Sequence, residues 1–170
     1  STSISLLSTS TPSVPVFSSV VFAYSGSYAL ATFDSATDEA SLGSSSFTCS
    51  SLFSFKGSSI STCSWQDTTT VRITFPYGNS STLIVPGDAV SLLAGKIRAQ
   101  CSSGTCSYQT ANSTTVTITA PTSAVAPTVS LSIPSVLGAC ANLTIDASSS
   151  TGNAGRPWSS ISWVVKAVDD

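Results

Sequence analysis

The stretch Thr70-Val-Arg-Ile-Thr-Phe75 sets the pattern for the whole chain. Val71, Ile73 and Phe75 alternate with Thr70, Arg72 and Thr74, the period of two that a half-buried β-strand requires. The same period recurs upstream, where Val20, Phe22 and Tyr24 alternate with Val21 and Ala23. Ser25-Gly26-Ser27 then turns the chain into a second strand, Tyr28 to Phe33, and the two read as a hairpin. Phe47 to Phe55 reads as a third strand, ending at Lys56-Gly57. After the central strand, Pro76-Tyr77-Gly78-Asn79 is a turn in which Pro fixes φ and Gly supplies a positive one. Thr82 to Val85, Ala89 to Leu93 and Thr114 to Thr119 read as further strands, with Pro86-Gly87-Asp88 and Gly95 as breaks. Val116 and Ile118 share one face of the last of these. Lys96 to Gln100 leads into a hairpin-sized gap flanked by Cys101 and Cys106, and only Asp34 to Ala40 suggests a helical turn.

These segments divide the chain. Residues 1–14, rich in Ser and Thr, read as an extended linker, open to O-glycosylation. Residues 15–120 carry the β pattern, and residues 121–127 form an uncharged Pro/Ala/Thr/Ser connector. Residues 128–170 open a second unit, with strands expected at Val129 to Ile133, around Leu143 and Ile145, and at Ile161 to Val165. Three or four strands cannot close a sandwich, so this unit reads as incomplete or as packed on the first. The chain is expected to be a piece of a larger protein. Strands roughly every 10 residues with turn signals between them point to an all-β fold, an immunoglobulin-like β-sandwich followed by the start of a second immunoglobulin- or PKD-like unit. Trp65, two residues after Cys63, is expected to plug the core beside a disulfide, and Trp163 is expected to be core as well.

Composition sharpens the compartment. Charged residues are 8% of the 170, against roughly 25% in an ordinary soluble domain. Ser and Thr take their place and keep the surface wet without a field. The net charge is −2 and the six basic residues are scattered, which argues against nucleic acid and anionic membrane as partners. No apolar run approaches the roughly 20 residues of a membrane span, so no membrane insertion is expected. The five cysteines include no metal-type C-x-x-C pair. The simplest pairing is Cys49–Cys63 and Cys101–Cys106, with Cys140 bonded outside the chain, as in an oxidising compartment. The competing reading is five reduced thiols in a cytosolic protein. Three sequons, at Asn79, Asn112 and Asn142, agree with secretion and covalent glycans.

Candidate chemistry is sparse. Asp34, Asp38 and Glu39 could offer oxygens to Ca²⁺, but their spacing lacks the alternation of a calcium loop, and a solvated turn is the plainer reading. Gly152-Asn-Ala-Gly155-Arg156 lacks the lysine of a phosphate loop and reads as a turn. There is no histidine, no S-x-x-K and no G-x-S-x-G to activate a serine. Asp67, Asp88 and Asp146 stand in turn contexts, where capping the local backbone is the ordinary role. No catalysis, metal or cofactor is expected. Trp158 and, more weakly, Tyr77 are candidate contacts for a glycan, so a carbohydrate-binding module is the alternative to a structural role.

Cys140-Ala-Asn-Leu-Thr-Ile-Asp-Ala-Ser-Ser-Ser150, with Gly152, Gly155-Arg-Pro157 and Trp163, resembles the opening of the REJ (receptor for egg jelly) region. That region occurs in polycystin-like and green-algal surface proteins. Ala31-Thr-Phe-Asp34, Cys49, Cys63-Ser-Trp65 and Val85-Pro-Gly-Asp88 look like the β unit that precedes it, so the resemblance spans roughly Ala29 to Val165. It implies an extracellular or ciliary-surface glycoprotein of tandem repeats, working in adhesion or assembly with other chains or repeats of the same assembly. It also implies that Cys140 pairs with a later cysteine.

Overall fold

The computed structural model describes residues 11–76, 84–101, 108–138, 140–153, 156–164 and 166. Eight strands run through the described residues: β1 (Phe17–Phe22), β2 (Tyr28–Phe33), β3 (Phe47–Thr48), β4 (Phe53–Ser54), β5 (Thr62–Asp67), β6 (Thr70–Thr74), β7 (Ala89–Leu92) and β8 (Thr115–Thr119). They join in one mixed sheet of order β3-β5-β6-β2-β1-β8-β7-β4. Every pairing is antiparallel except β1 with β8, where Val20 lies beside Ile118. The chain is all-β, as the period-two pattern requires.

The two edges of this sheet, β3 and β4, are neighbours in sequence. They are separated by the 3-10 turn Cys49–Ser51 and Leu52 alone, so the sheet must curl until its edges meet. Here the structure corrects the expectation of one strand over Phe47 to Phe55. Leu52 and Phe53 are consecutive and both fully buried, which strict alternation forbids to a single strand with one apolar face. The turn resolves the conflict, because it lets the chain leave β5's edge and pair afresh with β7 through Phe53 and Leu92.

The curl encloses the core. Phe17 of β1 touches both Phe33 of β2, at 5.6 Å between ring centroids, and Phe53 of β4, at 5.3 Å. A strand from mid-sheet and one from the edge therefore meet across the interior. Ala29 and Ala31 on β2 are fully buried, and their small side chains leave room for these rings. Trp65 is buried as expected and stacks on Phe33 at 5.8 Å. Its indole Nε1 is the one buried side-chain polar atom without a partner among the described residues. Val71 and Ile73 are buried with Arg72 half-buried between them, and Ile118 is buried on β8 with Val116 packed against the core. Val14, assigned by composition to the linker, also packs on the core.

Cys49 and Cys63 form a disulfide, with Cα atoms 4.9 Å apart, that staples the 3-10 turn to β5. Constraining a loop of about 15 residues in this way stabilises by roughly 3 kcal/mol in the chain-entropy view. Cys101 is also disulfide-bonded, while Cys106 lies outside the described residues.

The expected helical turn at Asp34 to Ala40 is a single 3-10 turn, Glu39–Ser41, and an unusual one. Glu39, Ala40 and Ser41 all have φ between 53° and 56°, in the left-handed region that L-residues avoid. It is held from both sides. Asp38 Oδ1 accepts from Ala40 N at 3.1 Å and from Arg98 N at 3.0 Å, and the buried Thr37 hydroxyl donates to Thr68 O at 2.7 Å. Of the strand expected at Thr82 to Val85, residues 82–83 lie outside the described residues; Ile84 is buried and Val85 exposed, with no strand assigned.

Past residue 120 the strand pattern is not realised as strands among the described residues. β pairing there is limited to isolated bridges, Thr128 with Thr151 and Ser132 with Asp146. The physical reason is visible in the exposures: the apolar residues meant to face a core face solvent instead. Val129 is 72% exposed, Ile161 61% and Val164 79%. Trp163, expected in a core, is 50% exposed.

Candidate functional site

Two places in the fold gather side chains that could act on something outside. The first lies where the tail meets the sheet. Arg156 reaches from the turn after Asn153 onto the open end of the curl. Its two terminal nitrogens donate to Ile84 O at 3.2 Å and Gly26 O at 3.1 Å. Its guanidinium carbon lies 5.0 Å from the Phe22 ring centroid and 5.6 Å from that of Phe75. Among the described residues, carbonyl oxygens and ring faces rather than a carboxylate meet its charge, and burial pulls its pKa below the usual guanidinium value. The turn itself is closed by Asn153, whose Nδ2 donates to Arg156 O at 2.7 Å. Gly152 is fixed by close approach: its φ is 99°, and a Cβ there would stand 2.7 Å from the Cα of Pro127. Gly152, Asn153 and Arg156 therefore form a brace, with the arginine turned inward. Around it lies a shallow pocket of about 260 Å³, bounded by Tyr24, Pro86, Val125 and Arg156 among others.

The second place is a groove of about 550 Å³ between residues 127–131 and 158–164. Trp158, half-buried, and Trp163 both line it, with Val129, Leu131, Ile161 and Val164. Thr128, Ser150, Ser159, Ser160 and Ser162 supply hydroxyls, and among the described residues no ionisable side chain lines it. The Ser150 hydroxyl is already engaged, accepting from Ser130 N at 3.0 Å and donating to Ser130 O at 3.3 Å. Sequence reasoning singled out Trp158 and missed Trp163, because a tryptophan in a strand pattern reads as core. The signal that could have found it is the shortage of partner strands in residues 128–170.

The remaining candidates take ordinary places. Asp34 Oδ1 accepts from Val16 N at 2.8 Å and from the Ser35 hydroxyl, so neither it nor Asp38 is free of backbone duty. Asp88 Oδ2 accepts from Val85 N at 2.9 Å. Asp67 Oδ1 takes the N–H and hydroxyl of Thr69 at 2.8 and 2.7 Å, and these bonds hold its carboxyl below the usual range. Asp146 is lowered in the same way by Ser148. Asn112 and Asn142 are both exposed. Asn79 and Tyr77 lie outside the described residues, and Cys140 is an exposed free thiol. No helix of the described residues is long and apolar enough to cross a membrane.

No family model, no curated protein and no solved structure matches the chain.

Proposed function

We propose that the chain is a structural and adhesive module of a larger extracellular surface glycoprotein, acting through surfaces and without catalysis. The observation that carries this reading is the pairing of a charge-poor, disulfide-stapled β body with a tail whose apolar side chains are exposed together. A contiguous apolar surface of this kind marks a site of contact with another macromolecule. The reading includes the immunoglobulin-like assignment of residues 15–120, the incomplete second unit at 128–170, and the likeness to REJ-type, polycystin-like ciliary-surface proteins. It places the chain outside the cell, with glycans on the exposed Asn112 and Asn142 and on Asn79, and with other chains or repeats of one assembly as partners. The test is expression through a secretory pathway followed by glycopeptide mass spectrometry. Occupied sequons with Cys49 and Cys63 oxidised are the expected result; bare asparagines and reduced thiols in the native material would sink it.

A second reading, a carbohydrate-binding module, is favoured by one observation, the two indoles in one uncharged groove. A glycan-array signal lost in Trp158→Ala would support it, and silence on every neutral glycan would remove it.

A further inference from the structure

A pull along the chain enters the sheet body at β1 and leaves it at β8, its first and last strands among the described residues. These two strands are direct neighbours, and theirs is the one parallel pairing described, with Val20 beside Ile118 and Val21 beside Thr119. Direction decides what this means under load. In a parallel pair the start of one strand and the end of the other lie at opposite edges, so tension between them runs lengthwise. The bridging hydrogen bonds then share the load and must yield together. An antiparallel pair would bring both ends to one edge, where the bonds open one at a time. Both strands are also keyed into the core, through Phe17, Val20 and Phe22 on β1 and Ile118 on β8. β2 holds the other side of β1, from Phe33 opposite Phe17 to Ala29 opposite Phe22. The approach to β1 is pinned at Val16, whose N–H donates to Asp34 Oδ1 at 2.8 Å and whose carbonyl accepts from Asp34 N at 3.0 Å. The Thr119 hydroxyl adds a bond across the pair, donating to Val20 O at 3.4 Å. On the far side of β8, Ile118 O accepts from Gly87 N at 2.9 Å and Ile118 N donates to Asp88 O at 3.0 Å.

We propose that β1 and β8 form a mechanical clamp, and that the sheet body bears tension applied along the chain. The inference rests on the structural reading given above and deepens it: the module transmits load between whatever is joined to its two ends. The contacts that dock the tail sit differently. Arg156 bonds Gly26 O, and Val125 N donates to Tyr24 O at 3.1 Å, both just past the end of β1 and therefore at the edge where β8 leaves. Tension peels these contacts first and takes up the tail before the clamp is loaded. The Cys49–Cys63 disulfide joins the 3-10 turn to β5, away from β1 and β8 in the strand order. It leaves the clamp to set the force, and it limits how far the chain extends once the clamp has parted.

Single-molecule force spectroscopy on the intact chain, in a Cys140→Ser background, tests this by changing only the direction of pull. In one arm the chain is held by its two ends. In the other it is held through Tyr24→Cys and Ala120→Cys, two exposed positions just past the ends of β1 and β8, where the same pairs are unzipped instead of sheared. The event belonging to the body is recognised by its length. Cys49→Ser with Cys63→Ser lengthens it by roughly 45 Å, the reach of the 14 extended residues less the 4.9 Å that the bond already spans. Forced unfolding reports the unfolding rate rather than the equilibrium stability, so one fold can differ between the two arms. The expected result is a rupture force severalfold higher end to end than across positions 24 and 120, preceded by a weaker event as the tail comes away. Equal forces in the two arms overturn the proposal, and so does a body that parts more easily from its ends. None of these outcomes alters the glycopeptide test, so failure here and failure of the extracellular reading are separable.

Discussion

At the scale of single residues, Arg156 shows how one side chain can fix the relation of tail to body. A guanidinium supplies a planar fork of donors and a face for stacking, so one residue can close two backbone carbonyls and cover two phenylalanines at once. Arg156→Ala therefore releases the tail: about 1–3 kcal/mol of docking is lost for carbonyls left unpaired. The measurement is limited proteolysis in the 121–127 connector, expected to quicken while the melting of the sheet body is unchanged. Arg156→Lys is expected not to rescue, since an ammonium cannot reproduce the fork. Asp67 carries the second prediction at this scale. Its bonds to Thr69 lower its pKa on folding, so the unfolded chain binds the proton more readily. The stabilisation is present above the unfolded value, about pH 4, and disappears as pH falls through the folded one. Asp67→Asn is expected to flatten the acid limb of the stability–pH curve; an unchanged limb would dismiss the role. The role of Asp67 is legible from its turn context. The role of Arg156 is not, because nothing local in Gly155-Arg-Pro157 tells which distant carbonyls it will meet.

At the scale of elements, the strands with strict alternation, β2, β6 and β8, fall where the pattern places them, while β1 keeps Val20 and Phe22 inward past a bulge near Phe17 and stops short of the exposed Tyr24. Alternation encodes which face is buried, and one buried face is enough to fix such a strand. It does not encode partners. The break of Phe47 to Phe55 into β3 and β4 depends on both sheet edges meeting at that point, a property of the curled sheet rather than of those residues. The left-handed turn at Glu39–Ser41 is equally hidden, since it contains no glycine and is imposed by Asp38 bonding across to Arg98. The disulfide is the element-level device that secures the edge switch. Cys49→Ser with Cys63→Ser is expected to lose about 3 kcal/mol in chemical denaturation, the loop-entropy value for about 15 residues. The loss should show as a lower midpoint with the cooperativity of the transition kept. A midpoint unmoved by reduction would mean that β3 and β5 hold the turn without the crosslink.

At the scale of the whole molecule, a curled sheet whose edge strands are joined by a short turn carries a tail without a sheet of its own among the described residues. The all-β class, the Cys49–Cys63 pairing and the buried Trp65 were all readable in advance, because each follows from local spacing. The exposed Trp163 was not, since a strand pattern promises a face to bury and is silent on whether anything arrives to bury it. The central claim is that contrast, one stapled and satisfied body beside a tail segment without a ladder partner, and it is open to direct test by amide hydrogen exchange on the intact chain. The slowest amides are expected in β1, β2 and β6, at the middle of the sheet. Residues 158–164, which make no backbone hydrogen bond among the described residues, should exchange like free peptide. Protection of 158–164 in dilute solution, or rapid exchange at Val20, Ala31 and Ile73, would contradict the account.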